Sequence, residues 1–394
     1  MRRINEISSS KENVIKSNVD PVFLVLIFAL LSFGLVMLFS ASFANAYYYR
    51  KGNSFFFISH QILHTIIGLG GMFIISKIHY NFYKKTALLM FGISLILLVC
   101  VLFTKGDIHG IKRWINIKII QFQPSEAMKF SIIPLFSLMI VKKQDKMNSF
   151  YYGVLRFVFV LLPIAVLMRL EPHLSGLVLI FSIAGVLMFI GGTNIKWFIA
   201  LFSAAFLLML YMLIFSGNYM GGRAYYWLHP FSDPLHETMQ TDQSLLAIGS
   251  GGLFGLGLGQ SRQKFMYIPE VQNDFVFSVI CEELGVCGAL FVIILFLLFC
   301  YKGFEIASKT KDKFAFLMCA GIVAQFGIQA MLNIAVVTGT VPNTGIPMPF
   351  FSYGGTALVI QLWEMGIVLN ISRYSKTRKI SFNKPIPLKK QNIN

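Results

Sequence analysis

Apolar stretches of about twenty residues alternate with short polar segments along almost the whole chain. A helix needs about 20 apolar residues to cross roughly 30 Å of hydrocarbon, so each stretch reads as a membrane span. Ten spans are expected, at about 21–43, 56–76, 86–104, 124–141, 153–170, 174–191, 197–216, 274–301, 314–338 and 354–372. The pattern predicts an all-α polytopic membrane protein, with a tail over 1–20, a transmembrane domain over 21–372 and a basic tail over 373–394. The stretch 217–273, between spans seven and eight, is long for a plain connection. Its patterned run over 243–248 points to short interfacial helices rather than a separate domain.

Composition agrees with this reading. The 394 residues are 56% hydrophobic and 13% charged, too apolar for an ordinary soluble domain. The net charge of +17 could suggest nucleic acid, but no basic domain with interleaved stacking aromatics is present. Instead, Lys and Arg gather in both tails and in alternate connections, more than twice as many on one side as on the other. By the positive-inside rule this puts both termini in the cytoplasm and the 217–273 loop outside. The five cysteines lie mostly in apolar stretches without metal spacing, which suits buried filler.

Candidate chemistry concentrates where a polar loop enters span eight. Glu270 and Asp274 stand at that boundary, and Glu282 and Glu283 lie two turns deeper. Carboxylates in such places are costly and usually functional. Asp274 could be a helix cap. Its company favours a base, because the outer loops also carry Arg113, Trp114, Gln123, Ser125, Glu126, Arg223, Arg262, Lys264 and Ser352. A carboxylate among cations suits proton abstraction beside an anionic substrate. Glu282 and Glu283 read as a buried structural pair, with Lys129 as the expected partner. Gln123, Pro124, Ser125 and Glu126 read as the start of span four. The glycine run over 251–259 lacks the Gly-Lys-Ser/Thr end of a nucleotide loop and suits close helix packing or a hinge. His60 and His64, at i and i+4, read as packing residues. The three prolines and three glycines over 342–355 suit a bend that lines a cavity.

In order along the chain, Arg113-Trp114-Ile115, Gln123-Pro124-Ser125-Glu126, the run 252–264, Pro269-Glu270, Asp274-Phe275, Glu282-Glu283-Leu284-Gly285 and Phe351-Ser352-Tyr353-Gly354-Gly355 resemble the SEDS proteins, the FtsW/RodA/SpoVE family. The 252–264 run and Asn370-Ile371-Ser372-Arg373-Tyr374-Ser375 look closest to the FtsW and SpoVE branch. The resemblance implies a peptidoglycan glycosyltransferase that polymerises lipid II at the outer face of the bacterial cytoplasmic membrane, in cell division or sporulation. It implies a class B penicillin-binding protein and other division proteins as partners, and Asp274 as the essential acid. A divalent cation, Mg or Mn, could assist, although no dedicated cage is visible. The rival functions are a lipid II flippase and a non-catalytic scaffold that recruits the transpeptidase. Two positions depart from the family pattern. Where many relatives read Gln-Pro-Asp-Leu-Gly-Thr, this chain has Glu171, Pro172, His173, Leu174, Ser175 and Gly176, and Thr344 stands where many have lysine.

Overall fold

The computed structural model describes residues 18–104, 113–117, 120–171, 173–200, 203, 225–233, 238–265 and 267–375. Among these the chain is helical apart from one two-stranded hairpin that apolar periodicity does not announce: β1 (Ile115–Ile117) pairs antiparallel with β2 (Ile120–Phe122), Ile115 opposite Phe122. The helices are α1 (Pro21–Tyr49), α2 (Phe56–Ile75), α3 (Asn81–Val101), α4 (Pro124–Lys142), α5 (Arg156–Leu170), α6 (Leu174–Ile190), α7 (Met239–Ser250), the single turn α8 (Val271–Asp274), α9 (Val276–Ser308), α10 (Lys313–Val337) and α11 (Gly355–Ser375). Eight helices among the described residues are long and apolar enough to cross a membrane, α5 being counted together with the π-helical turn Tyr151–Leu155 that leads into it, and α6 is a shorter apolar one. Most of the expected span 197–216 falls outside the described residues. The protein is thus a multi-pass helical membrane protein, with eight spans plus α6 rather than ten visible in the described residues.

Local chemistry explains the helix ends. Asp20 caps α1, its Oδ1 accepting from the N–H groups of Val22 and Phe23 at 3.0 and 3.1 Å, with Pro21 in the first turn. Helix α4 begins at Pro124 as expected, with Glu126 in its first turn. Two boundaries move. Tyr47, Tyr48 and Tyr49 are the last turn of α1 rather than a loop, because nothing in 44–49 breaks a helix before Gly52. Asp274 neither opens nor caps the eighth span: α8 ends on it, Phe275 leaves helical geometry at φ −111°, and α9 starts at Val276 with no side-chain cap. At about 1.5 Å per residue, the 33 residues of α9 reach roughly 50 Å, longer than the hydrocarbon core.

The bundle core forms where α2 packs on α11, α9 on α10, α3 on α4 and α1 on α9. Aromatic pairs add to this core: Phe23 of α1 packs on Phe299 of α9 at 5.1 Å, and Phe326 of α10 stacks on Phe350 of the Pro/Gly segment at 5.2 Å. The middle of α9 is the exception to regular packing. Gly285 sits at φ 66°, ψ −162°, a backbone region that only glycine occupies without strain. The helix opens there and the glycine run lies against it. Leu256 and Gly257 donate backbone N–H bonds to the carbonyls of Glu282 and Glu283, both at 2.9 Å. Val286 and Cys287 donate to the carbonyls of Gly252 and Leu253 at 3.0 and 3.1 Å. The glycine run is therefore a close-packing device, and the kink satisfies the backbone groups it frees.

A Cβ at Gly285 would run into the backbone of Leu253 and Gly255. Gly285→Ala is expected to destabilise the protein by about 1–3 kcal/mol from backbone strain alone. Thermal unfolding in detergent checks this, with Gly70→Ala as the control, since nothing lies within 4 Å of a Cβ at Gly70.

Candidate functional site

A cavity of about 700 Å³ opens at the Asp274 end of the bundle. Each wall comes from a different element. Arg113 and Trp114 precede β1; Gln123, Glu126 and Lys129 come from α4 and its approach; His173 stands just before α6; Glu270, Asn273 and Asp274 come from α8 and its approach. The Pro/Gly segment contributes Gly345, Ile346, Pro347, Met348, Ser352 and Tyr353, so it lines a cavity as its composition suggests.

Asp274 is held from its backbone. Asn333 on α10 donates from Nδ2 to the Asp274 carbonyl at 2.7 Å and to the Ile346 carbonyl at 2.7 Å, joining the acid to the Pro/Gly segment. Tyr353 N–H donates to the Gln272 carbonyl at 2.8 Å, a second tie between the same segments. Glu270 turns the chain in the left-handed region at φ 49°, and its Oε2 accepts from Asn273 Nδ2 at 2.8 Å. A Cβ at Gly345 would come within 3.2 Å of Asp274 Oδ2, so the glycine gives the carboxylate room. Burial, then the negative charge of Glu270, push the Asp274 carboxyl up to about 7. An acid poised there is suited to proton transfer near neutral pH.

The buried lysines Lys129 and Lys264 have different duties, and Lys129 alone of the two lines the cavity. Lys129 is buried and paired with Glu126 at 2.7 Å, and its Nζ also reaches Gln329 Oε1 at 3.4 Å. Both members of that pair line the cavity, and Lys129 is not the partner of Glu282 or Glu283. That partner is Lys264, whose Nζ lies 2.8 Å from Glu283 Oε1 and donates to Ser40 Oγ at 3.1 Å and to the Gly259 carbonyl at 2.7 Å. Glu282 accepts from Ser261 Oγ at 2.5 Å and from Arg262 N–H at 2.8 Å. The expected structural role of the two glutamates is what the bonding shows, with a different cation.

Of the residues singled out in the sequence, Arg113, Trp114, Gln123, Glu126, Glu270, Asp274 and Ser352 share the cavity. Ser352 serves its own loop there, its Oγ accepting from Met348 N–H at 2.7 Å. Ser125 is buried but absent from the wall, Lys264 is consumed by Glu283, and Arg262 is exposed elsewhere. Arg223 lies outside the described residues. The structure adds Lys129, His60, His64 and His173 to the lining. His60 and His64 are thus wall residues rather than packing residues, because α2 turns that face toward the cavity mouth. Asn333 had a signal that went unused, an amide in the middle of an apolar span.

At the departures from the family pattern, Glu171 and His173 are both buried, and neither Glu171 Oε1 nor His173 Nδ1 has a hydrogen-bond partner among the described residues. Burial raises Glu171 to about 8, against the opposing pull of Arg113. Burial lowers His173 to about 3, helped by Arg113 and Lys129. Among the described residues, no group of three or more His, Cys, Asp or Glu could cage a metal.

The model of the FtsW/RodA/SpoVE cell cycle protein family matches residues 21–377. The chain belongs to the FtsW/RodA/SpoVE family. It is 36% identical over 363 residues to Stage V sporulation protein E of Bacillus subtilis, covering 92% of this chain and 99% of that one. It is equally 36% identical over 356 residues to a probable peptidoglycan glycosyltransferase FtsW of Geobacter sulfurreducens, covering 90% and 95%. A chain solved in work on structural coordination of polymerization and crosslinking by a peptidoglycan synthase complex superposes with a TM-score of 0.76 at 25% identity, covering 91% of this chain and 99% of that one. The rod shape determining protein RodA of Thermus thermophilus shares the fold, with a TM-score of 0.65 at 24% identity over 91% and 98%.

The Lys264–Glu283 pair gives a direct test of the division of labour among the cations. Breaking a buried pair by removing one partner costs about 3–5 kcal/mol. Lys264→Met is expected to lose that much stability, and Lys264→Met combined with Glu283→Gln to recover part of it. Thermal melts of the two variants read the difference.

Proposed function

We propose that this chain is a peptidoglycan glycosyltransferase that polymerises lipid II at the outer face of the cytoplasmic membrane, with Asp274 as the catalytic base. One observation carries the reading: a buried carboxyl raised to about 7 lines a polar cavity of about 700 Å³, whose wall also holds Arg113 and Lys129, at the end of a membrane bundle. The names of the relatives support the substrate class. The charge bias of the connections supports the orientation, with both termini in the cytoplasm and the Asp274 end outside.

In this mechanism, Asp274 accepts the proton of an acceptor sugar hydroxyl. That oxygen bonds to the donor's anomeric carbon with inversion, and the carbon–oxygen bond to the lipid pyrophosphate breaks. Arg113 and Lys129 face the charge that develops on the leaving group, where fixed cations count most. Glu126, paired to Lys129 at 2.7 Å, holds that ammonium in place. Glu270, Gln123, Trp114 and Ser352 form the remaining polar wall for the sugars. A Mg or Mn ion would find two carboxylates on one cavity wall, Asp274 and Glu270, and such ions are commonly held by one or two carboxylates together with substrate phosphates. Bound there, it would supply further charge neutralisation. The partner proposed is a class B penicillin-binding protein, with the other division proteins around it. The orientation also makes the exposed aromatic end of α1 an outer-surface feature.

Purified protein with its partner is expected to convert labelled lipid II into glycan polymer, and Asp274→Asn to abolish this without lowering the melting temperature. Normal polymerisation by Asp274→Asn would refute the base assignment. Translocation of lipid II without polymer would favour the flippase.

The pH dependence has a defined sign. The Asp274 carboxyl is raised, so it is protonated and inactive as a base below about 7 and ionised above it. kcat/KM is expected to rise tenfold per pH unit below about 7 and to level off above it. A flat profile across that range would contradict the assignment.

A further inference from the structure

Helix α4 carries Glu126 and Lys129 at its cavity end, and its other end stands on the opposite side of the bundle. There the connection from α4 to α5 gathers cations that the cavity chemistry does not use. Lys143 and Lys146 follow α4, and Arg156 opens α5. Lys143 Nζ lies 6.0 Å from the centre of the Tyr152 ring, Lys146 Nζ 5.4 Å and the Arg156 guanidinium 5.6 Å. Three cations therefore converge on one aromatic ring.

The cluster is held by its backbone. Tyr152 belongs to the π-helical turn Tyr151–Leu155, a rare geometry that is frequent at functional sites. Gly153 N–H donates to the Ser149 carbonyl at 2.7 Å, and the Gly153 carbonyl accepts from Thr193 Oγ1 at 3.2 Å. A Cβ at Gly153 would run into the Met147 carbonyl, so the turn is pressed onto the segment that carries Lys146. Arg156 donates from Nη2 to the Met139 carbonyl of α4 at 2.8 Å, which fixes the guanidinium and leaves its other N–H groups for a further acceptor.

The protein does not balance this charge. Among the described residues, none of the three cations has a carboxylate within 4 Å, and Asp145 in the same connection is exposed and unpaired. The end of α4 supplies only about half a negative charge. An aromatic ring attracts cations but carries no net charge. Like charges gathered in this way repel one another unless an anion joins them. The surroundings indicate which anion. Phe150 and Tyr151 are about half exposed beside the cluster, and Phe150 packs 4.8 Å from Trp197, the aromatic pattern of a membrane–water interface. Phe159 and Val166, three and ten residues beyond Arg156, share its face of α5 and are more than half exposed. A phosphate seated on the cations therefore has apolar surface beside it along the membrane span, which suits acyl chains and offers nothing to a soluble anion.

We propose that Lys143, Lys146, Arg156 and Tyr152 form a binding site for the phosphodiester headgroup of an anionic phospholipid, whose acyl chains lie along Phe159 and Val166. The ligand is a component of the membrane and the site is remote from Asp274, so the inference stands independently of the glycosyltransferase reading.

The test titrates the full chain in detergent with phosphatidylglycerol and, separately, with phosphatidylethanolamine of the same acyl chains, and counts bound lipid by native mass spectrometry. The unmodified chain is expected to hold phosphatidylglycerol more tightly. Lys143→Gln with Lys146→Gln, both on exposed side chains, is expected to weaken one tight binding event by roughly thirtyfold, the scale of two cations at an anionic lipid surface. Lys143→Arg with Lys146→Arg is expected to keep it. Lys77→Gln with Lys311→Gln removes the same charge from exposed positions at the same end of the bundle, and is expected to change binding by less than about twofold. Equal weakening by the two Gln pairs would reduce the cluster to diffuse surface charge and overturn the proposal. Equal affinity of the unmodified chain for the two lipids would overturn it as well. Displacement of the lipid by equimolar inorganic phosphate, or by an acidic peptide, would assign the cluster to a soluble anion or an acidic protein instead.

Discussion

Two carboxyl groups buried inside a membrane helix are the constraint on which this fold turns. Glu282 and Glu283 are fully buried in α9, where each would be strongly unfavourable if left alone. The chain answers by wrapping the 251–264 loop around them. Ser40, Gly259 and Lys264 satisfy Glu283, while Ser261, Arg262 and Gln263 satisfy Glu282. Those bonds need the loop backbone in contact with the helix, which Gly251, Gly255 and Gly285 permit by having no Cβ in the seam. The carboxylates thus tether both ends of the segment 261–282, and Asp274 lies between the tethers.

Within that frame, amides rather than charges do the fine positioning. Asn333 bridges the carbonyls of Asp274 and Ile346, Gln329 donates to the Pro347 carbonyl at 2.8 Å, and Gln61 donates to the Ser352 carbonyl at 3.2 Å. Three amides from two helices therefore hold the irregular segment, whose carbonyls have no helical partner. Irregular backbone at a membrane boundary is tolerated where protein or a cavity supplies the missing bonds. The arrangement lets Asp274 keep its side chain for the cavity, since its position is set through its carbonyl.

Much of this was legible in the chain, and the misses share a cause. Apolar length predicts the spans, Pro124 and Glu126 predict the start of α4, and the acids at the loop boundary, Glu270 and Asp274, point to the cavity wall that both line. What failed was pairing across distance. Lys129 and Lys264 are both lone cations near apolar segments, and spacing along the chain cannot say which one meets Glu283. Only packing brings α1 and the glycine loop against α9 and leaves Lys129 to Glu126, three residues away on its own helix. The histidines of α2 were misread for a similar reason. An i, i+4 pair identifies a helix face, but the neighbour of that face is a tertiary fact.

The departures at 171 and 173 are best understood through the same economy of charge. Where many relatives place an acid, this chain has His173, and it gains Glu171 two residues earlier. Exchanging an acid for a base beside a cationic wall would seem to reverse the local field. Burial prevents it: Glu171 is raised to about 8 and His173 lowered to about 3, so near pH 7 Glu171 is mostly protonated and His173 is neutral. Arg113 and Lys129 hold His173 neutral by repulsion, whereas Arg113 draws Glu171 only partway back toward ionisation. The pair therefore presents hydrogen-bonding groups without net charge on the side of the cavity that Arg113 and Lys129 also line. An acid at 173 would have stood as a further counter-ion beside Arg113 and Lys129; a neutral imidazole does not.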